Sequence, residues 1–413
     1  MPGTVDGEAA RRTRAARPAV SPASGRLPLW TDPACAPPPP AAPGAGLAAR
    51  AAMAPVLGAR REITYLDLPC RSVVNRCSNP HMPFGWTINP YRGCEFGCTY
   101  CYARYTHEYL GYDRWLDFET RIHVKSEAAR RLEEEACGGR LRGRAIAIGT
   151  ATDPYQPAER RYGVTRGILE VLARQDGIHL SITTKSDLVV RDLDLLREMA
   201  RRGSLHVNFS ITTLWPALAR RLEPRAPTPL KRLAALRQLS EAGIECGVFA
   251  MPILPGLTDD DASLASLAEA AAAYGARYLL GQPLFLRESA RRAFLPFLER
   301  QYPELVRGYR HAFARGSRLS PSYSARLAQR LARLRRRFGL ADGPRAATPG
   351  CGGPHPPPGA GPVAAAGAAP DAHAGHSLPV VSASAAPRSN SARAPHAQGP
   401  RTAGGTDQPS FPW

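Results

Sequence analysis

The chain has 413 residues, 44% of them hydrophobic, with 41 Pro, 37 Gly and a formal net charge of +19. No apolar run reaches the 18 or so residues of a membrane-spanning helix, and the N-terminus lacks the compact apolar core of a secretory signal, so neither a transmembrane nor a secreted protein is expected. Nine cysteines, odd in number and scattered except for one group of three, exclude a disulfide framework and fit a reducing cytoplasm.

Residues 1–60 are dominated by Ala, Pro, Gly and Arg, with four consecutive prolines at 37–40. Such a stretch buries too little apolar surface to offset chain entropy and reads as a disordered tail. Met53, inside it, is a candidate translation start. Residues 62–340, about 280 residues, suffice for one large domain. Strands are expected at 85–89, 145–149, 179–183, 206–211, 245–251 and 278–282. Helices are expected at 100–110, 126–136, 162–174, 188–200, 229–242 and 259–274, with Gly243 stopping the fifth of them. Strand–helix alternation at this spacing builds βαβ units and a parallel sheet. Six units predict an α/β fold, a partial (β/α)6 TIM-type barrel, with chemistry at the C-terminal strand ends. Further helices are expected over 289–337. The last is Arg-rich and amphipathic, suited to covering the open side of the barrel or meeting a partner. Residues 341–413 return to Pro, Gly, Ala and Ser and read as a second disordered tail.

Residues 1–60 hold seven Arg against three acids, and 341–413 hold four Arg against three Asp, so +14 stays with the core. A basic core admits a polyanionic partner such as nucleic acid. Codon bias is the competing explanation, because 51 of the 54 basic residues are Arg. Against that bias Lys125, Lys185 and Lys231 stand out, although Lys231 reads as the chance survival of a surface lysine. Lys185 closes the strand-end string Ser181-Ile-Thr-Thr-Lys185, where a compact ammonium fits and a guanidinium fork does not.

The chemistry centres on Cys94, Cys98 and Cys101, spaced C-x3-C-x2-C directly after the first core strand. Three thiolates can hold three irons of a cubane cluster and leave the fourth iron open. A zinc knot completed by His107 is the alternative. Zinc sites, however, pair two short C-x2-4-C units or one unit with a spaced His pair, and no second unit lies nearby. Gly93 and Gly97 flank the cysteines where backbone must approach sulfur closely. Tyr100 and Tyr102 are placed to pack over a cluster or simply into the core. The second core strand ends in Gly149-Thr-Ala-Thr-Asp153, whose polar side chains need partners. The fourth ends with Ser210, Thr212 and Thr213. Glu223 and Arg225 sit in a Pro-bounded loop, suited to an ion pair or a carboxylate clamp. Ile253 and Leu254, past the fifth strand, offer an apolar rest for a flat ring.

The cysteine spacing, with an aromatic before the last cysteine, resembles the motif of the radical S-adenosylmethionine (SAM) enzymes. Five strings together resemble the spore photoproduct lyase-like branch of that superfamily: Asn89-Pro-Tyr-Arg-Gly-Cys94, Thr152-Asp-Pro-Tyr-Gln-Pro157, Thr184-Lys185, Leu222-Glu-Pro-Arg225 and Pro252-Ile-Leu-Pro-Gly256. The match spans roughly residues 62–315 and neither tail. The resemblance implies a [4Fe-4S] cluster on Cys94, Cys98 and Cys101 that cleaves SAM reductively to a 5′-deoxyadenosyl radical. It implies SAM contacts from Tyr100, Thr152, Asp153, Lys185 and Ser210, and an electron donor of the flavodoxin or ferredoxin type. One position departs. Where spore photoproduct lyase has a hydrogen-returning cysteine this chain has Thr150, and Cys246 is the substitute to weigh against an ordinary buried thiol. A non-catalytic, metal-stabilised basic domain gripping nucleic acid is the alternative to the enzyme.

Overall fold

Each of the six apolar runs becomes a strand of one parallel sheet, with its neighbour in sequence as its neighbour in space. The computed structural model describes residues 46–79 and 82–345. In chain order the strands are β1 (Val56–Arg60), β2 (Ile63–Asp67), β3 (Val74–Arg76), β4 (Trp86–Ile88), β5 (Tyr91–Arg92), β6 (Arg121–Val124), β7 (Ala145–Ile148), β8 (His179–Thr184), β9 (Ser204–Ser210), β10 (Glu245–Ile253) and β11 (Tyr278–Pro283). Strands β4, β7, β8, β9, β10 and β11 lie in that order, and every adjacent pair is parallel. The sheet does not close, and β3 pairs antiparallel on the outer edge of β4. The expected partial (β/α)6 barrel is therefore the fold observed.

The crossover helices bury one face of the sheet, and the two faces read differently. Along β8 the burial alternates, as a two-residue repeat demands. Leu180 and Ile182, with Val207, Cys246 and Val248 from the next strands, are buried on the convex, helix-packed face. Ser181 and Thr183 point to the concave face, where Asn208 Nδ2 donates to their hydroxyls at 3.0 and 3.3 Å. Tyr278 donates to Asn208 Oδ1 at 2.5 Å across the same face. Its ring lies directly over Gly247, where a Cβ would collide with it.

A second sheet, unforeseen in the sequence, runs β1-β2-β6-β5. Its strands are two to five residues long, too short for alternation to announce them. The tail expected over 1–60 is also corrected at its C-terminal end. Leu47–Ala52 form a helix and Val56–Arg60 a strand. Ala51 packs with Leu68 and Leu110, and Arg50 donates to the Pro69 carbonyl at 3.1 Å. The helix is short and Ala-rich, so composition alone assigned it to the tail. The rest of both expected tails, 1–45 and 346–413, lies outside the described residues.

At the other end the helix Pro321–Phe338 packs on β11, with Leu331 against Gly281. Ala341 then pairs with the exposed strand edge. Leu279 N donates to its carbonyl at 3.2 Å, and its own N–H reaches Arg277 O at 2.9 Å. The C-terminal helix thus lies on the outer face of β11 beside the helix Asp261–Ala273, and the edge of β11 is protected from strand addition.

Candidate cluster and cofactor site

The small sheet holds the base of the cysteine loop. β5 pairs with β6 immediately before Gly93, and Cys94 N donates to Phe118 O at 2.9 Å. Gly93 has φ +86, and a Cβ there would stand 2.8 Å from that carbonyl. Gly97 has φ +64, and its Cβ would strike Glu119 and Arg225. Both positions require glycine for conformation and for space.

Four loop carbonyls near the cysteines, those of Gly93, Glu95, Phe96 and Cys98, are held. Thr152 Oγ1 and Gln156 Nε2 donate to Gly93 O at 2.5 and 3.1 Å. Glu95 N donates to Gln156 Oε1 at 3.0 Å. Arg225 donates through Nε to Glu95 O and through its backbone N to Phe96 O. Arg104 donates to Cys98 O at 2.9 Å and pairs with Glu119 at 3.0 Å. Thr99 N reaches Leu222 O at 3.0 Å. A loop held so firmly presents its sulfurs at fixed positions, as a metal centre requires.

Cys94 and Cys98 are 8% exposed, Cys101 is partly buried, and all three are free thiols. Burial pushes each thiol up, while Lys185 opposes the rise at Cys98 and Cys101. No set of three or more His, Cys, Asp or Glu among the described residues converges on a single metal ion. One nitrogen of His107 is occupied elsewhere, while its Nδ1 makes no hydrogen bond among the described residues. Its Nε2 lies 3.0 Å from Arg121 O, and its ring stacks on Tyr112 and meets Phe118 edge-on. The geometry of a zinc knot completed by His107 is not found among the described residues. Three free thiols, two of them buried, fit an iron–sulfur cluster with one open iron.

The expected SAM-contacting residues converge on this loop from three strand ends. Thr152 is committed to Gly93 and, through its hydroxyl, to Gln156. Asp153 Oδ1 accepts from Thr184 at 2.7 Å and from Tyr155 N at 2.9 Å, and Oδ2 accepts from Lys185 N at 2.7 Å. Burial pushes its carboxyl up, and these bonds oppose the rise. A carboxylate has about four acceptor positions, so one is left. Tyr100 is buried, with its hydroxyl on Thr212 and Glu223 and its ring 5.8 Å from Lys185 Nζ. Ser210 ends β9, and Arg232 holds its carbonyl at 2.8 Å.

Glu223 and Arg225 do not pair with each other as expected. Glu223 binds Arg232 and lies 3.7 Å from Lys185, whereas Arg225 binds Glu119. Gln156 and Arg232, both buried, are the support residues that the sequence reading missed. The signal for Arg232 was faint: one Arg on a helix face otherwise made of Leu and Ala.

A family model for the radical SAM superfamily matches residues 88–268. An uncharacterized protein of Mycobacterium tuberculosis is 41% identical over 288 residues, 70% of this chain and 84% of the relative. The chain belongs to the radical SAM superfamily. Another relative, an uncharacterized protein of Methanocaldococcus jannaschii, is 32% identical over 252 residues, 59% of this chain and 85% of its own. This radical SAM protein shares its fold with a spore photoproduct lyase double mutant solved with bound AdoMet and dinucleoside spore photoproduct. The TM-score is 0.51 at 18% identity, over 66% of this chain and 79% of that one.

In this radical SAM protein one of the two readings of Cys246 is borne out, and the reading of Ile253 and Leu254 is corrected. Cys246 pairs in register with Val207 on the convex face and is fully buried. It cannot return hydrogen to a radical in the barrel, and it is a core thiol. Ile253 and Leu254 are likewise fully buried, so they do not form an open rest for a flat ring. The Thr150 hydroxyl accepts from Asn89 Nδ2 at 3.1 Å.

Proposed function

We propose that this radical SAM enzyme carries a [4Fe-4S] cluster on Cys94, Cys98 and Cys101, cleaves SAM reductively and abstracts hydrogen from a nucleic-acid base. The observation that carries the proposal is the set of three free thiols, Cys94 and Cys98 buried and Cys101 partly so, on a loop braced by Thr152, Gln156, Arg104 and Arg225. When bound, the cluster supplies the electron that breaks the sulfonium of SAM. The chain's own residues do the rest. Lys185 offers an ammonium to a carboxylate, the remaining acceptor position of Asp153 suits an ammonium, and Thr152, Ser210 and Tyr100 frame them. Holding a reactive carbon beside its target hydrogen, away from water, is the protein's share of such chemistry.

Two observations support a base as substrate. The fold is that of a lyase crystallised with a dinucleoside photoproduct. In addition, Tyr102 and Tyr109 expose 44% and 60% of their surface on the helix after the cysteines. Between them Tyr105 meets Tyr109 edge-on at 5.8 Å and lies under the Arg287 guanidinium at 4.1 Å. The Tyr102 hydroxyl donates to Thr150 O, which places this ledge at the C-terminal end of β7. Exposed aromatics with an arginine are a stacking platform for bases, each worth about 1–3 kcal/mol. With Thr150 and Cys246 unsuited to returning hydrogen, a lyase outcome needs a different hydrogen source. No helix among the described residues is long and apolar enough to cross a membrane. A reducing cytoplasm with a low-potential electron donor is the setting the proposal requires.

The test is anaerobic reconstitution with iron and sulfide assays, then dithionite and SAM with and without a single-stranded oligonucleotide. The expected result is about four irons and four sulfides per chain, with 5′-deoxyadenosine and methionine released faster when the oligonucleotide is present. A colourless, zinc-loaded protein without turnover would support the basic nucleic-acid-binding alternative instead.

A further inference from the structure

Glu119 is a buried carboxylate with an arginine on each oxygen. Arg104 pairs with Oε1 at 3.0 Å, and Arg225 pairs with Oε2. Each arginine also grips the cysteine loop. Arg104 donates to Cys98 O at 2.9 Å, and Arg225 donates through Nε to Glu95 O. The two grips lie on either side of Gly97, where a Cβ would strike Glu119 and Arg225. The loop is also anchored at its start by the turn that carries Glu119. That turn is the short helix Asp117–Thr120, whose Phe118 O accepts from Cys94 N at 2.9 Å.

The surroundings of the two arginines differ. The Arg104 side chain is 1% exposed, its Nη1 donates to Trp115 O at 2.8 Å, and its guanidinium lies over the rings of Trp115 and Phe118. The Arg225 side chain is 41% exposed. Buried ion triads can often be replaced by apolar residues at no loss of stability, so stability alone does not explain the charges here. Two cations and one anion leave one positive charge beside the cysteines. The Arg104 Nε is buried without an acceptor among the described residues, which leaves the guanidinium an N–H for an anionic group. Burial raises the Cys101 thiol, Arg104 opposes that rise and Glu119 adds to it, so both charges are felt at the cysteine.

We propose that Arg104, Glu119 and Arg225 act as one set of positioning residues that fixes the cysteine loop and sets the reduction potential of the cluster it holds. The proposal rests on the radical SAM reading above and gives a role to residues outside the SAM contacts. A cluster that takes up one electron gains one negative charge. Nearby cations favour that change and nearby anions oppose it. Little water reaches Arg104 and Glu119, so their fields are weakly screened. The fork of a guanidinium holds two acceptors at once, which an ammonium cannot do in the same geometry.

The test compares the reconstituted parent with E119Q, R225Q and R225K. Potentials are measured by anaerobic titration with dithionite and mediator dyes, read by electron paramagnetic resonance. Cluster retention is measured by bleaching of the visible absorbance in the presence of an iron chelator. E119Q removes the anion and keeps its shape, R225Q removes one cation, and R225K keeps the charge and loses the fork. At a fixed potential E119Q should raise the reduced-to-oxidised ratio about three-fold or more, and R225Q should lower it by a similar factor. A ten-fold change corresponds to about 59 mV for one electron. R225K should keep the parent's potential and lose its cluster about ten-fold faster. Melting of the cluster-free proteins reports folding separately. Arg225 is half-exposed, so R225Q and R225K should melt with the parent, and they decide the proposal even where E119Q does not fold. A clamp without an electrostatic role would hasten cluster loss and leave the potentials in place. The proposal is overturned if R225Q leaves the potential unchanged, if E119Q and R225Q move it in the same direction, or if R225K keeps its cluster as long as the parent. A parent that carries the cluster but cleaves no SAM with dithionite defeats the proposed function, while the titration still decides the role of the three residues. A parent that takes up no iron overturns both.

Discussion

Lys185 Nζ lies 3.7 Å from Glu223 Oε1, and Arg232 occupies the other oxygen of the same carboxylate. Two cations thus share one anion in a region nearly closed to water, beside Cys98. The set keeps a net positive charge, which is costly there without an anion to meet it. An anionic thiolate-bound cluster and the carboxylate of SAM are groups of the required sign.

Replacing Glu223 with Gln removes that anion and leaves Arg232 buried without a charged partner. The expected cost is roughly 3 kcal/mol of stability, from the range for breaking a buried pair. Burial alone would raise the Glu223 carboxyl, but Arg232 and Lys185 overcome it and bring it from 4.5 to about 2. A depressed carboxyl contributes stability that is complete above its unfolded value and lost as pH falls through its folded one. Urea titrations of the cluster-free protein should therefore show a parent-minus-E223Q difference that is flat above about pH 5 and shrinks toward pH 2. A difference independent of pH would refute the coupling.

Lys185→Met keeps the length of the side chain and removes its charge. Because the backbone N–H, not the side chain, holds Asp153, folding should be little affected, with the melting temperature within about 3 °C of the parent. SAM affinity should fall about ten-fold or more, the usual scale for a lost charge-assisted bond. Equilibrium dialysis with the reconstituted proteins measures it. Unaltered SAM affinity would remove Lys185 from the site.

At Gly97 an alanine meets Glu119 and Arg225 and must adopt φ +64. The left-handed backbone alone costs about 1–2 kcal/mol. The larger consequence is local, since the loop must shift to relieve the contact. Gly97→Ala should reconstitute with less than about half the parent's iron while keeping the far-ultraviolet dichroism of a folded barrel. Full cluster loading in that variant would show that the loop tolerates displacement.

Cys246→Ala tests the opposite kind of residue. Its thiol sits on the convex face, with burial pushing it up to about 12. The substitution should cost about 1 kcal/mol through lost packing. It should leave 5′-deoxyadenosine formation and the product distribution as in the parent. A changed product profile, read by mass spectrometry in deuterated solvent, would restore Cys246 as a hydrogen donor.

The barrel was legible because each core strand carries a dense apolar run and each crossover a helical period. Those local signals point to one parallel arrangement. The cysteine loop was legible for a different reason, since three thiols at C-x3-C-x2-C admit few chemistries. The small sheet was hidden, because strands such as Tyr91–Arg92 are fixed by their partner rather than by their own pattern. The tail boundary was misplaced for a related reason. Ala51 is buried only because Leu68 and Leu110 arrive to cover it.

What the amino-acid order determined by itself is the fold class, the thiol triplet and the residue types at the strand ends, because periodicity and spacing are local properties. Only the tertiary structure decided which charges meet. Glu223 chose Arg232 and Lys185 over Arg225, two residues away, because a helix and a neighbouring strand end carry those cations into the same buried space. It also decided that Cys246 faces the helices. A strand's two sides are equivalent in sequence until the sheet curves and one of them becomes the inside.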